Sequence, residues 1–286
     1  MPKNKKYSIG IDLGGTKMSA VLFDGEKVIM DCSLATPKDN LEHIFVMMLA
    51  LIEPLEEKAN ELKIRISKIG LGVAGVIDYR EGKILYSPNI PLIDGVCLAR
   101  ELEKRTGFSV IIDNDGNCFT RAVAVLGVAK KYDNVYGFII GTGIGGGWWI
   151  NNDIYRAPFG GSGEPGEMII DFNTGIKLEE AYHKLTQNNP ALLAEEAYRG
   201  DVLAEKSYEE LGEFLGLALA NIVNLIAPEV IVLGGGAINS SDLFLSIAKK
   251  TMKENISSSE AKKNIKILKS KIGKHAGAIG AACLVK

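Results

Sequence analysis

The sequence predicts an α/β protein assembled from two copies of one hairpin-based unit. Tyr7 to Leu13 and Met18 to Phe23 are apolar runs of strand length around a Gly14-Gly15 turn. About half the chain later, Val135 to Ile140, a glycine turn over Gly141 to Gly147, and Trp148-Trp149-Ile150 repeat the order strand, turn, strand. Around these hairpins, helical stripes of apolar residues alternate with short buried-strand patterns, the signature of layered α/β construction.

Taken in order, the first hairpin leads to a third strand over Lys27–Ala35. A helical stripe over Leu41–Leu62 follows, with an interruption or kink expected at Pro54. Ile64–Val73 reads as a buried strand. Val76-Ile77-Asp78 and Lys83 to Tyr86 read as a second hairpin. Val96–Thr106 is a helix closed by Gly107, and Val110-Ile111-Ile112 is a short buried strand running into a helix that reaches about Lys130. Beyond the second glycine hairpin, residues 153–175 are loop-rich. Leu178–Tyr198, Tyr208–Ile226 and Leu243–Met252 are helical, Val230–Leu233 and Ile265–Leu268 are strands, and Gly277–Leu284 is a helix of small residues. With no low-complexity linker, two lobes are expected: 1–113 plus 273–286 forming the smaller, and 114–272 the larger.

Composition narrows the function classes. The 286 residues are 47% hydrophobic, enough for a sizeable core, and a net charge of −2 offers no bulk attraction to nucleic acid or anionic membrane. Cys32, Cys97, Cys118 and Cys283 never form a CxxC pair, and His43, His183 and His275 are equally scattered, so no zinc site is expected. Lys3, Lys5 and Lys6 make the N-terminus basic, but Asp12 and two glycines break the apolar stretch after it, unlike a signal peptide. The uncharged run over Val135–Asn152 is shorter than the roughly 20 residues a membrane-spanning helix needs. Reduced thiols and a cytoplasmic location are expected.

Three clusters carry chemistry. At the first hairpin, glycine leaves backbone N–H groups open to an anion. Asp12 could hold a hydrated Mg²⁺, Thr16 offers a hydroxyl and Lys17 a positive charge, together a polyphosphate cradle. An ordinary hairpin with a solvated tip would have the same local pattern. Gly141-x-Gly143-x-x-Gly146 matches the dinucleotide fingerprint in spacing alone, because a strand rather than a helix follows it. Two glycine hairpins facing each other across a cleft is the better reading. Asp113-Asn114-Asp115 lies where a strand ends and a helix begins. Its carboxylates either cap the helix or supply a general base for a hydroxyl attacking a phosphoryl group. Glu164 and Glu167 share a Gly/Pro-bordered loop. Glu164 is expected to be solvated, whereas Glu167 enters the apolar run Met168-Ile169-Ile170 and suits a ligand-facing carboxylate.

Eight segments in order, IDLGGTK (11–17), GVAGVID (72–78), NIP (89–91), DNDGN (113–117), GTGIGGG (141–147), GEPGEM (163–168), VLGGGA (232–237) and AGAIGAA (276–282), resemble the ROK family of sugar kinases and repressors. The resemblance covers nearly the whole chain. It implies a two-lobed actin-like ATPase, or ribonuclease H-like, fold closing on ATP, Mg²⁺ and a hexose. It implies Asp115 as general base for the sugar hydroxyl, usually O6. Gly14, Gly15, Thr16 and Lys17 would meet the phosphates from one lobe and Gly141, Thr142 and Gly143 from the other. Gly234, Gly235 and Gly236 would lie near adenosine. Asn89, Asn114, Asp115, Glu167 and either Glu179 or Glu180 would hold sugar hydroxyls. The chain departs from the family pattern at Ile170, where a histidine is usual, and in Asp171 to Glu180, where the zinc-binding cysteines are absent and the loop is short. The resemblance therefore implies a member without structural zinc.

The expected activity is ATP-dependent phosphorylation of a hexose, glucose first. N-acetylmannosamine or N-acetylglucosamine kinase is the alternative within the class. A sugar-responsive regulator comes second. Its kind carries an N-terminal helix-turn-helix, for which a first strand at Tyr7 leaves no room. A non-catalytic sugar-binding protein is the third reading, which the intact Asp115 and glycine hairpins disfavour. A homodimer is implied by the resemblance alone.

Overall fold

The computed structural model describes residues 6–285, so Lys3 and Lys5 of the basic start lie outside the described residues. The strands β1 (Tyr7–Leu13), β2 (Lys17–Phe23) and β3 (Val28–Ala35) run antiparallel, and α1 (Leu41–Glu61) crosses to β4 (Ile66–Val73), which lies parallel to β1. A ribbon of β5 (Val76–Asp78) and β6 (Lys83–Tyr86), then α2 (Leu98–Thr106), lead to β7 (Val110–Asn114), parallel to β4. The helix α3 (Asp115–Val125) opens the second half. There β8 (Asn134–Ile140), β9 (Ile144–Ile150) and β10 (Asp153–Ile154) are antiparallel. After α4 (Leu178–Thr186), α5 (Pro190–Tyr198) and α6 (Val202–Ile226), β11 (Val230–Gly234) joins parallel to β8. Finally α7 (Leu245–Asn255), α8 (Ser259–Asn264), β12 (Lys266–Lys269), parallel to β11, and α9 (Ala276–Ala282) complete the chain.

The two five-stranded sheets, β3-β2-β1-β4-β7 and β10-β9-β8-β11-β12, match strand for strand in order and direction. The expected duplication is thus present as topology. The alternation of β1 explains the layering. Ile9, Ile11 and Leu13 point into a core completed by α1 and α2, while Gly10 on the opposite face lets α9 approach. A Cβ at Gly10 or Gly70 would strike the α9 backbone, and one at Gly280 would strike the Cys118 backbone of α3. Two helices therefore pack closely between the sheets, α9 against the first and α3 against the second. The large second core gathers Tyr136, Phe138, Tyr182, Tyr208, Leu215 and Phe244 beneath α4 to α7.

Several boundaries differ from the sequence reading. Pro54 lies inside α1 without ending it. The expected helix over Leu178–Tyr198 is two helices, because Gln187 and Asn188 adopt left-handed backbone and the Asn189 side chain caps a new start at Pro190. The helix after Asp115 stops at Val125 rather than near Lys130, and α6 begins at Val202, capped by Asp201, rather than at Tyr208. Gly145, Gly146 and Gly147 belong to β9 rather than to the turn. The short α8 was not expected; Ser258 caps it. No helix among the described residues is long and apolar enough to cross a membrane.

Candidate active site

The cleft between the sheets holds two adjoining cavities. One, of about 460 Å³, is bounded by the first hairpin at Gly14 and Gly15, by Asn89 and Asn114, by the second hairpin from Gly141 to Gly145, and by Glu164, Glu167 and Glu179. The other, of about 570 Å³, is bounded by Asp12, the Gly234–Gly236 turn, Asn239, Lys274 and Gly277. Asp115 lines both.

Asp115 owes its place to backbone. It is the first residue of α3, and Asn114 immediately before it is the cap: the Asn117 N–H donates to Asn114 Oδ1 at 3.2 Å. Asn114 is held in turn, its Nδ2 donating to the Gly75 carbonyl at 3.0 Å. The next residue, Gly116, packs against Gly146 of β9, where a Cβ would meet the Gly146 carbonyl oxygen. The Asp115 carboxyl thus stands where the end of β7 crosses onto the second sheet. One of its oxygens accepts the Gly116 N–H at 2.9 Å. Burial raises its pKa, and the Glu179 charge adds to that against the backbone hydrogen bonds.

Carboxylates surround it. Burial, with the charge of Asp115, lifts the Asp12 carboxyl to about 7. Burial, then the charges of Asp115, Glu179 and Glu167, lifts Glu164 to about 7. A pair of recessed carboxylates that resist joint ionisation is a setting a divalent cation relieves, so Asp12 with Asp115 beside it fits a Mg²⁺ carried by a polyphosphate. No group of three or more His, Cys, Asp or Glu residues poised for metal binding occurs among the described residues.

Glu179 and Glu180 separate clearly. Glu179 accepts the Ile144 N–H and crowds Gly143, tying α4 to the second glycine hairpin, whereas Glu180 is exposed and lines neither cavity. Glu167 borders the first cavity and pairs with Lys177 in an exposed ion pair. Asn89 packs against Gly15, where a Cβ would come within 2.7 Å of the Asn89 Cβ. Thr142 lines the first cavity from the hairpin tip. Thr16 and Lys17 are exposed and line neither cavity. Gly235, with φ +87°, makes the turn that brings Gly234 and Gly236 to the second cavity.

The expectation for Glu164 is corrected. It is not a solvated loop residue but a recessed cleft carboxylate, because the loop folds back under β9: the Tyr136 hydroxyl donates to the Gly163 carbonyl at 3.1 Å. The sequence held one usable signal, the Gly163-Glu164-Pro165-Gly166 run that forces a tight return. Arg156, which reaches Asp113 from the second sheet, was also missed, and an arginine in a loop gives no local signal.

A family model described as "ROK family" matches residues 8–286. The chain belongs to the ROK family. Among ROK relatives, it is 31% identical over 305 residues to an N-acetyl-D-glucosamine kinase of Photobacterium profundum, covering 96% of this chain and 98% of that one. It is 29% identical over 306 residues to the xylose repressor of Bacillus subtilis, covering 99% of this chain and 78% of the repressor. Among solved structures, the ROK hexokinase of Thermus thermophilus superposes with a TM-score of 0.80 at 28% identity, over 98% of this chain and 97% of that one. The ROK glucokinase of Streptomyces griseus, solved with glucose and AMPPNP, gives 0.81 at 25% identity, over 98% and 99%. The two-lobed actin-like ATPase fold expected of a ROK member is therefore the fold of this chain.

Proposed function

We propose that this ROK protein is an ATP-dependent hexose kinase that transfers the γ-phosphoryl group to the 6-hydroxyl of glucose or a close relative. The observation that carries the proposal is the position of Asp115, the one acidic residue lining both cavities. A sugar in the first cavity and a nucleotide in the second would bring an alcohol and a phosphoryl group to the same carboxylate.

In this reading Asn89, Asn114, Glu164, Glu167 and Glu179 hold sugar hydroxyls, since carboxylates and amides converging from several directions suit a ring with hydroxyls all round. Gly15, Thr142 and Gly143 offer backbone N–H groups to the phosphates, Gly14 and Gly141 close the two turns by donating to the Lys17 and Gly143 carbonyls, and Gly234–Gly236 border the adenosine side. Asp115 accepts the hydroxyl proton as the oxygen attacks in line, and burial, by raising its pKa, makes the carboxylate a stronger base. Mg²⁺ bound to ATP, held near Asp12, would offset negative charge on the phosphates. The segments 1–113 with 273–286 and 114–272 act as two lobes that close on the sugar, in a cytoplasmic homodimer.

N-acetylglucosamine is the second substrate reading, favoured by the similarity to the Photobacterium kinase. A regulatory role has the xylose repressor likeness in its favour. One experiment separates all three: ADP release measured with glucose, mannose, fructose and the N-acetylated hexosamines. Glucose-dependent turnover is expected. Preference for an acetamido sugar moves the assignment within the class, and no turnover with any sugar overturns the kinase proposal.

A further inference from the structure

The stretch just after β9 is fastened to α3 and β7 by an unbroken chain of ion pairs. Arg121, on α3 and 3% exposed, donates to Asp153 Oδ1. Arg156 Nη1 lies 3.8 Å from the same oxygen. Arg156 Nε and Nη2 donate to Asp113 Oδ2 at 3.1 and 2.6 Å. The Asp113 side chain is fully buried, and its other oxygen accepts the Tyr79 hydroxyl at 3.0 Å, Asn117 Nδ2 at 2.9 Å and the Asn114 N–H at 2.9 Å. The two arginines and two aspartates alternate, so their charges cancel. Five donors satisfy one carboxylate, the condition under which a buried charge is tolerated.

This carboxylate is two residues from Asp115. Three segments meet on it: the ribbon through Tyr79, the β7–α3 junction through its own backbone, and the second-sheet strap through Arg156. Arg156 also stands directly before the loop that carries Glu164 and Glu167. Nothing in helix capping calls for this arrangement, because Asn114 already caps α3. A buried ion pair is also a weak source of net stability. What it does supply is a fixed link between the strap leading into the Glu164–Glu167 loop and the Asn114–Asp115 step.

We propose that Arg156 is a positioning residue which, by holding Asp113, sets Asp115 against the hydroxyl of a sugar bound under the Glu164–Glu167 loop. The inference rests on the kinase reading. The guanidinium is suited to the task because its planar fork directs two N–H groups at one carboxylate, a geometry that lysine cannot reproduce.

The test compares wild type, Arg156→Lys and Arg156→Met. Sugar-binding stoichiometry from calorimetry gives the fraction of folded sites, and turnover is expressed per folded site. Misplacing a general base by about 1 Å costs on the order of 10²-fold, so Arg156→Met should lose about 10- to 100-fold in kcat while KM for ATP stays within about threefold. Arg156→Lys, with one directed contact, should fall between. Amide exchange over residues 110–118 should quicken in the same order. A merely structural role would lower the folded fraction and leave kcat per folded site intact. Turnover per folded site within twofold of wild type in Arg156→Met, or in Arg156→Lys alone if the Met variant does not fold, overturns the inference. A wild-type protein inert with every sugar removes the kinase reading and this inference with it; active wild type with equally active variants removes the inference alone.

Discussion

Asp12, one residue before the end of β1, and Asp115, at the start of α3, line the same cavity, and the charge of Asp115 helps lift the Asp12 carboxyl to about 7. Asp12 stands opposite Gly72 of β4, and Gly72 opposite Asp113 of β7, so the register of the first sheet brings Asp115, two residues beyond Asp113, to the same end as Asp12. Asp115 borders the first cavity as well, whereas Asp12 lines only the second.

Asp115→Asn should fold as wild type does and bind sugar with little change, because an amide can keep the hydrogen bond from Gly116. It should lose at least ~10²-fold in kcat, the lower range for removal of a general base. Steady-state kinetics beside a thermal melt check this. A rate within a factor of a few of wild type removes Asp115 from its role.

Asp12→Asn should act on the other substrate. Loss of its charge relieves the repulsion with Asp115 but weakens the hold on a polyphosphate-bound cation. KM for Mg·ATP should rise by about 10-fold, one lost charge-assisted contact, with the sugar KM unchanged. Titrating Mg²⁺ at fixed ATP reads the difference, and an unchanged Mg²⁺ dependence places the cation elsewhere.

Glu179 and Glu180 provide a paired control. Glu179→Gln removes a charge from a cleft residue that also braces the Ile144 N–H, so sugar KM should rise about 10-fold, the loss of one charge-assisted hydrogen bond. Glu180→Gln, on the exposed side of the same helix turn, should stay within twofold. A larger effect at Glu180 reverses the assignment.

This pair shows what could be read from the chain and what could not. The glycine hairpins and the Asp113–Asp115 step were legible because their chemistry is local: a strand, a turn and a cap lie within a few residues of one another. Whether Glu179 or Glu180 faces inward depends on the phase of α4, and that is set by Leu178 entering the core, which only the packed structure fixes. Glu164 was misread because its burial comes from a loop folding under β9. The pairing of Arg156 with Asp113 spans 43 residues and joins elements from different sheets, so no pattern along the chain could announce it. Pro54 marks the opposite failing, a strong local breaker overridden because the rest of α1 is anchored by Phe45, Met48, Leu51 and Leu55 in the core.

The raised Glu164 carboxyl makes a prediction about pH. A carboxyl whose pKa is higher folded than unfolded favours the folded state at low pH, and that advantage disappears as pH rises through the folded value. With Glu164 at about 7 against an ordinary 4.5, its contribution should be complete below about pH 4.5 and gone above about pH 7. Melting temperatures of the ligand-free protein across that window should fall more steeply for wild type than for Glu164→Gln. Parallel curves would mean that the carboxyl ionises normally.

Gly116→Ala tests the close approach that seats the Asn114–Asp115 step. Alanine favours helix, so on propensity alone the change should stabilise α3. The added methyl group would instead strike the carbonyl oxygen of Gly146, and that backbone is locked into pairing with Phe138 of β8. Neither partner is a flexible side-chain end, so the helix start must move. Overpacking of this kind costs about 1–3 kcal/mol, enough to outweigh the gain in propensity. Because Asp115 is the preceding residue, kcat should fall together with the melting temperature. A stabilised Gly116→Ala variant with full activity would show that the two halves meet more loosely here than the structure indicates.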